Sequence, residues 1–312
     1  MPTPIPLNGI GVSMARAKEA GVARGSDGES VLHKHLRVLD AFDALRPFLT
    51  LTEIADAAGL ALSTAHRLVA ELEREGLLER MPDRTYRLGV RLWEFASRTP
   101  GALGLRELAR PWLGAVHARV RQHTQLGVLS GRDVLFIERM STRDAVLNLT
   151  LIGGRTPLPV SSSGLVLLAH AAPTLVDEVI AAGWPAYTPH TIRPGALRDK
   201  LRHVRADGFA VSDGQIHAES RGIAVPVFGP HGAVYAAVGV VIANDGTSPQ
   251  PAVELLTVAA AGITRALEEA YLPDGGGAVR DGVGGLRALV SSSQRSLDYF
   301  ASLDAAPWPT GG

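Results

Sequence analysis

From Ser30 onward apolar residues return at helical spacing. Val31, Leu32, Leu36, Leu39, Phe42 and Leu45 follow a good capping residue, and Pro47 closes the run. A second short helix is expected behind Thr52 as its cap, with Ile54 and Ala55 inward and Gly59 as its stop. After the tight connection Leu60-Ala61-Leu62, Ser63 is expected to cap a third helix, Thr64 to Glu75. Its inner face carries Ala65, Leu68, Val69 and Leu72, and its outer face Thr64, His66, Arg67, Ala70 and Glu71. Two short strands, 77–81 and 85–88, then flank the polar turn Pro82-Asp83-Arg84.

Residues 103–123 read as one longer helix. Its face of Leu105, Leu108, Trp112, Ala115, Val116 and Val120 is either a seam between copies or packing against its own domain. Up to 272, strand-like runs (125–129, 133–138, 146–151, 209–212, 222–228, 234–243) alternate with helical ones (164–172, 174–182, 196–207, 252–271). Strands joined mostly as hairpins and flanked by helices predict an α+β module with an antiparallel sheet. Residues 1–29 have no periodicity and are expected to be a disordered tail. Pro273 and the Asp274-Gly275-Gly276-Gly277 break open a C-terminal extension, 273–312, in which 286–303 suits a short amphipathic helix. The organisation expected is therefore 30–98, a connecting helix over 99–123, and a second domain over 124–272.

Composition narrows the chemistry. The 312 residues include 31 Lys+Arg against 31 Asp+Glu, for a net charge of zero, and no cysteine. Disulfides, thiolate metal sites and cysteine nucleophiles are excluded, and a uniformly basic coat with them. The longest apolar runs, such as 233–243, fall short of the ~20 residues of a spanning helix. A soluble, cytoplasmic protein with no membrane partner is expected.

Two helices joined by a short turn and followed by a hairpin describe a winged helix-turn-helix. The third helix offers Ser63, Thr64, His66 and Arg67 to a major groove; Arg80, Arg84 and Arg87 suit a wing on the DNA backbone. The helix N-terminus at Thr52 presents free N–H groups to a phosphate. Charge alone is neutral on this, since 31–98 holds ten Lys/Arg and ten Asp/Glu. In the second domain Ser161-Ser162-Ser163-Gly164 with His170 or His217 tempts a catalytic reading, but no nucleophile elbow surrounds it. A capped helix whose N–H groups and hydroxyls hold a ligand's carboxylate or phenol accounts for it better. The ten histidines form no zinc-like pattern, so no metal and no cofactor is expected.

The motif order resembles the IclR-type transcriptional regulators. The likeness is carried by Ser63-Thr64-Ala65-His66-Arg67-Leu68, Tyr86-Arg87-Leu88-Gly89, Leu105-Arg106-Glu107-Leu108-Ala109-Arg110-Pro111, Gly154-Arg155-Thr156-Pro157-Leu158 and Ile223-Ala224-Val225-Pro226-Val227. It spans roughly 30–272. The resemblance implies a homodimer or homotetramer acting as a repressor on a palindromic double-stranded operator, with a GAF-like antiparallel sheet sensing a small organic effector. It places the effector site at Leu149, Leu151, Leu158, Ser161–Gly164, Ser212, Asp213, Gln215, His217, Arg221, Gly222, Gly239 and Val241. Small-acid sensors in the family tend to carry an acid at the position of Ser212, a cysteine at Gly222 and serines at Gly239 and Val241. A histidine after Leu158 is here Pro159, and a lysine after the glycine is Leu165. A roomier, less polar pocket for an aromatic or otherwise bulkier organic ligand is the expectation, with Asp213, Gln215, His217 or Arg221 orienting any polar group. The rival class is a small-molecule enzyme or carrier whose N-terminal bundle only mediates oligomerisation.

Overall fold

The computed structural model describes residues 29–43, 46–97, 102–148, 150–229 and 232–271. They form two compact units, one holding the described residues up to 99 with those of 149–155, the other those of 100–148 and from 156 onward. The 1–28 part of the expected tail and the 273–312 extension lie outside the described residues.

The first unit contains α1 (Val31–Leu39), α2 (Leu51–Ala58), α3 (Leu62–Arg74), β1 (Leu78–Arg80), β2 (Tyr86–Leu88) and α4 (Val90–Ser97). Ser30 caps α1 as expected, its hydroxyl accepting the His33 N–H at 3.1 Å. The helix stops at Asp40, well before Pro47, yet Ala41 and Phe42 stay in the core on two further turn hydrogen bonds. Helix α2 begins two residues earlier than expected. Thr50, not Thr52, is its cap, because Thr50 and Glu53 exchange side-chain and backbone hydrogen bonds in a capping box that Thr52 cannot form. Likewise Ala61 stands at the cap of α3, and Ser63 lies inside the first turn. Val38, Phe42, Leu49, Ile54, Leu68, Val69, Leu72 and Leu78 close one core.

In the second unit α5 (Ala102–Val120) leads into β3 (His123–Ser130) and β4 (Asp133–Met140). Then come β5 (Arg155–Pro157), a 3-10 turn at Leu158–Val160, α6 (Ser162–Ala169), α7 (Pro173–Ala182) and α8 (Pro194–Asp207). β6 (Ala210–Asp213), β7 (Ser220–Phe228), β8 (Val234–Ala243) and α9 (Gln250–Tyr271) complete it. The sheet order is β5-β4-β3-β8-β7-β6, and the pairings of β3 with β4 and β8, and of β7 with β6 and β8, are antiparallel. Period two sends Ile223, Val225, Val227, Val238 and Val240 to one face, under α5 and α9. Val134, Phe136, Ala224 and Ala237 go to the other, under α6, α7 and α8. Leu105, Leu113, Val116, Leu108, Trp112 and Val120 of α5 all join the first layer, so most of that helix's apolar face packs on its own domain; Ala115 alone is exposed.

Two expectations fail here. The helix ends at Val120 because Arg121 takes a left-handed conformation (φ 52°), which frees His123 to open β3. The strand expected over 146–151 is absent, and Leu149 lies outside the described residues. Side chains, not a ladder, satisfy that backbone: Val146 N–H donates to Gln122 Oε1, Val146 C=O accepts from His123, and Leu147 C=O from Ser220. Gly164 has a clear reason to be glycine, since a Cβ there would lie 2.1 Å from the Leu158 carbonyl oxygen.

Candidate nucleic-acid interface and ligand site

The first unit puts a polar ridge on the outer face of α3. Ala65, Leu68, Val69 and Leu72 are buried, which leaves Ser63, His66 and Arg67 exposed and Thr64 half-buried. Because Ser63 and Thr64 do not cap the helix, their hydroxyls are free for another partner. The Arg67 guanidinium reaches back to Glu71 at 2.7 Å, and the same carboxylate holds His35 of α1 at 2.8 Å. Thr52 lies in the exposed first turn of α2, so its placement at a helix N-terminus survives the change of cap.

The three wing arginines have different situations. Arg84 is at the tip in a left-handed conformation (φ 66°), beside an Asp83 carboxylate that accepts from the Thr85 N–H and hydroxyl. Those hydrogen bonds hold the Asp83 carboxyl below its usual range. Arg87 pairs across the hairpin with Glu79 at 2.6 Å, and Arg80 lies over the Tyr86 ring at 5.9 Å. Of the three, only Arg87 is held in an ion pair among the described residues; Arg80 has its ring contact and Arg84 neither. Arg84→Gly relieves the strained φ and removes one charge, so stability should hold or rise by ~1 kcal/mol. DNA affinity should fall uniformly across sequences, with a salt slope shallower by about one. Titration of duplexes at several salt concentrations reads both; loss at a single base position would instead mark base readout.

In the second unit one sheet face gathers four of the expected ligand positions, Ser212, Gly222, Gly239 and Val241. Cross-strand register aligns Ser212 with Gly222, Val241 and His123, and the next row aligns Ala210, Ala224, Gly239, Gln125 and Arg139. Helix α6 covers this face: a Cβ at Gly222 would meet Ser162 Oγ at 2.8 Å. At Gly239 a Cβ would lie 2.7 Å from the Ile223 carbonyl, so the serine of small-acid sensors does not fit this backbone unchanged. The Oγ atoms of Ser163 and Ser212 are buried with no hydrogen-bond partner, as is Nδ1 of half-buried His217. Such groups cost about 1–3 kcal/mol each unless something meets them.

Other expected residues are engaged elsewhere. Ser161 is spent as the α6 cap, its hydroxyl accepting the Gly164 N–H at 3.0 Å. Leu158 is fully buried core. Asp213 and Arg221 are ion-paired and, one residue out of phase with Ser212 and Gly222, stand on the opposite face with Ile242. Arg221 also donates to the Thr247 carbonyl. Gln215 serves the turn, its Oε1 accepting the Ile192 N–H and its carbonyl the Thr191 hydroxyl at 2.7 Å. Leu151 is half-buried in the 150–154 loop of the first unit rather than on a strand.

The sequence reading missed His123, Gln125, Arg139 and Asn148. His123 Nε2 donates to Val146 C=O at 2.6 Å and its Nδ1 accepts from Arg139 at 3.1 Å, which fixes one neutral tautomer. Asn148 donates to Gln125 at 3.3 Å. Burial pushes the His123 imidazole below its ordinary 6.5; the Val146 bond opposes this and the Arg139 charge adds to it. Burial also lowers Arg139, from a value so high that it stays cationic. As pH falls through 6.5 the unfolded chain takes up a proton that folded His123 refuses. Stability is therefore full above that pH and declines below it. Thermal unfolding at pH 7.5 and 5.5 should show the drop, and His123→Gln should flatten it; an unchanged slope in that variant would assign the effect elsewhere.

No helix among the described residues is long and apolar enough to cross a membrane, and no cluster of His, Cys, Asp and Glu there suits a metal ion. Residues 31–82 match the IclR helix-turn-helix domain, and 99–261 match the bacterial transcriptional regulator IclR C-terminal domain. The chain is 31% identical to the HTH-type transcriptional regulator BhcR of Paracoccus denitrificans, over 72% of this chain and 82% of that protein. It is 30% identical to XynR of Escherichia coli, over 66% of this chain and 83% of that one. Among solved structures, an IclR homolog of Microbacterium hydrocarbonoxydans complexed with 4-hydroxybenzoate is 44% identical, with a TM-score of 0.73, covering 77% of this chain and 100% of that one.

Proposed function

Because the chain belongs to the IclR family of transcriptional regulators, we propose that it is a repressor that binds a palindromic operator as a homodimer or homotetramer and lets go when an aromatic carboxylate fills its second domain. That it is a DNA-binding regulator with a ligand-binding C-terminal domain, and not an enzyme, follows from the family itself. The observation that carries the finer reading is the α6-covered sheet face. It combines a cation, Arg139, with two buried hydroxyls without partners, Ser163 and Ser212. The fully covered homolog with bound 4-hydroxybenzoate supports the same ligand class.

Self-association is supported by apolar surface on the first unit. Val31, Leu32 and Leu36 of α1 and Val90, Trp93 and Phe95 of α4 are exposed, Trp93 by 65%. Paired copies would set two α3 helices about 34 Å apart, one turn of DNA. Differential affinity of the ligand for one arrangement of the pair then changes operator affinity, and the coupling is reciprocal.

Selection of bound sequences from a random duplex pool, followed by titration at two salt concentrations, tests the reading. An enriched inverted repeat is expected, released by 4-hydroxybenzoate or benzoate and not by acetate or glyoxylate. Release by the small acids with equal or better affinity would overturn the aromatic assignment, and enrichment of an asymmetric site would overturn the palindrome.

A further inference from the structure

We propose that the first unit takes up a proton at His35 when Arg67 leaves Glu71 for DNA, so that operator binding tightens as pH falls. The Glu71 carboxylate is shared between two helices. Its Oε1 accepts from the Arg67 guanidinium at 2.7 Å, and its Oε2 faces Nε2 of His35 on α1 at 2.8 Å. The other ring nitrogen, Nδ1, faces the Val31 carbonyl oxygen at 2.9 Å. Both neighbours of the ring are thus acceptors. A neutral imidazole has one N–H and satisfies one of them, whereas the imidazolium satisfies both. His123 is the opposite case, set between the Val146 carbonyl and the Arg139 donor.

Exposure decides which partner yields to DNA. The Arg67 side chain is 57% exposed, that of Glu71 31% and that of His35 18%. Arg67 can swing from the carboxylate to the duplex while His35 stays against it. Desolvation raises the Glu71 carboxyl, and the His35 hydrogen bond with the Arg67 charge more than offsets this and holds it below its ordinary range. Once Arg67 has gone, that carboxylate stands beside a polyanion with one counter-charge fewer. A proton from solvent restores the balance: an N–H bond forms on the ring, Glu71 stays ionised, and both ring contacts become hydrogen bonds. The other charged groups of these helices are engaged elsewhere. On α3, Arg74 turns to Glu75 at 3.7 Å. Arg37 of α1 serves α2, donating to the Ala58 and Gly59 carbonyls, and with His33 it also binds Glu29.

The inference rests on Arg67 meeting DNA and is independent of the effector and of the number of copies. Anisotropy titration of the full-length protein on the selected duplex, at pH 6.5 and 8.0 and constant salt, should show about tenfold tighter binding at the lower pH. One linked proton allows at most about tenfold per pH unit for each copy bound. Calorimetry in phosphate and in Tris, whose ionisation enthalpies differ, counts the proton directly. His35→Gln keeps a donor for Glu71 but cannot titrate, so its binding should be independent of pH and buffer while circular dichroism shows the fold kept. Arg67→Ala, at an exposed position, should lose most of the pH dependence too, because Glu71 then lacks its arginine before DNA arrives. His66→Gln should retain the pH dependence whatever it does to affinity. Dependence that survives His35→Gln and disappears in His66→Gln would overturn the proposal in favour of direct titration against phosphate. Dependence lost in His35→Gln but intact in Arg67→Ala would overturn the exchange at Glu71. Wild-type binding that ignores pH would overturn the inference alone, whereas no complex at either pH would remove the DNA-binding reading and the inference with it.

Discussion

Replacing Arg67 by alanine is expected to weaken specific operator binding by about 1–3 kcal/mol, about five- to 150-fold, while binding to random duplex changes far less. Arg67 sits on the exposed ridge of α3, one helical turn from Ser63 and adjacent to His66, and a guanidinium on a helix lying in a major groove can offer two donors to a guanine edge. In the free protein it is held by Glu71, itself tied to His35, so the side chain is pre-oriented at modest cost. An exposed ion pair of this kind is worth under about 1 kcal/mol, and DNA can displace it. The measurement is a fluorescence-anisotropy titration on the selected operator and a scrambled duplex at two salt concentrations. A sequence-independent loss with a shallower salt slope would reassign Arg67 to a phosphate.

The second large effect belongs to the other domain. Arg139→Ala should lower the affinity for benzoate or 4-hydroxybenzoate by about 10- to 100-fold, since a charge-assisted hydrogen bond to a carboxylate contributes about 1.5–3 kcal/mol. The matching neutral alcohols should lose little, because they never formed that contact. Comparing acid with alcohol in both proteins by calorimetry gives a cycle in which general loosening of the pocket cancels. Equal losses for both ligand types would mean that Arg139 shapes the site, through His123, rather than meeting the charge. Operator affinity without ligand should be unchanged, which separates a pocket effect from unfolding.

Much of the reading head was legible because helices advertise themselves. Ala65, Leu68, Val69 and Leu72 repeat at three and four, and their burial follows directly. The cap of α2 is written in the sequence too, as the capping box Thr50-x-x-Glu53. Helix α4 was not legible, since most of its apolar residues, Val90, Trp93 and Phe95, face solvent instead of marking a buried face. In the ligand domain, strand parity alone separates Ser212 from Asp213 and Gly222 from Arg221. His123, Gln125 and Arg139 were a different matter. A polar residue in a strand is buried or exposed according to which strands lie beside it, and that register joins residues more than a hundred positions apart.

Helix α5 carries a practical lesson for protein engineering. Its Leu105, Ala109, Leu113 and Val116 lie in the same apolar layer as α9, and Arg106 reaches the buried Glu138 carboxylate at 3.0 Å. A biosensor that grafts this sensing half onto a foreign DNA reader must therefore be cut ahead of Ala102. A cut at Val120, where a connecting helix would ordinarily be thought to end, strips one wall from the sensor and leaves a carboxylate buried without its cation.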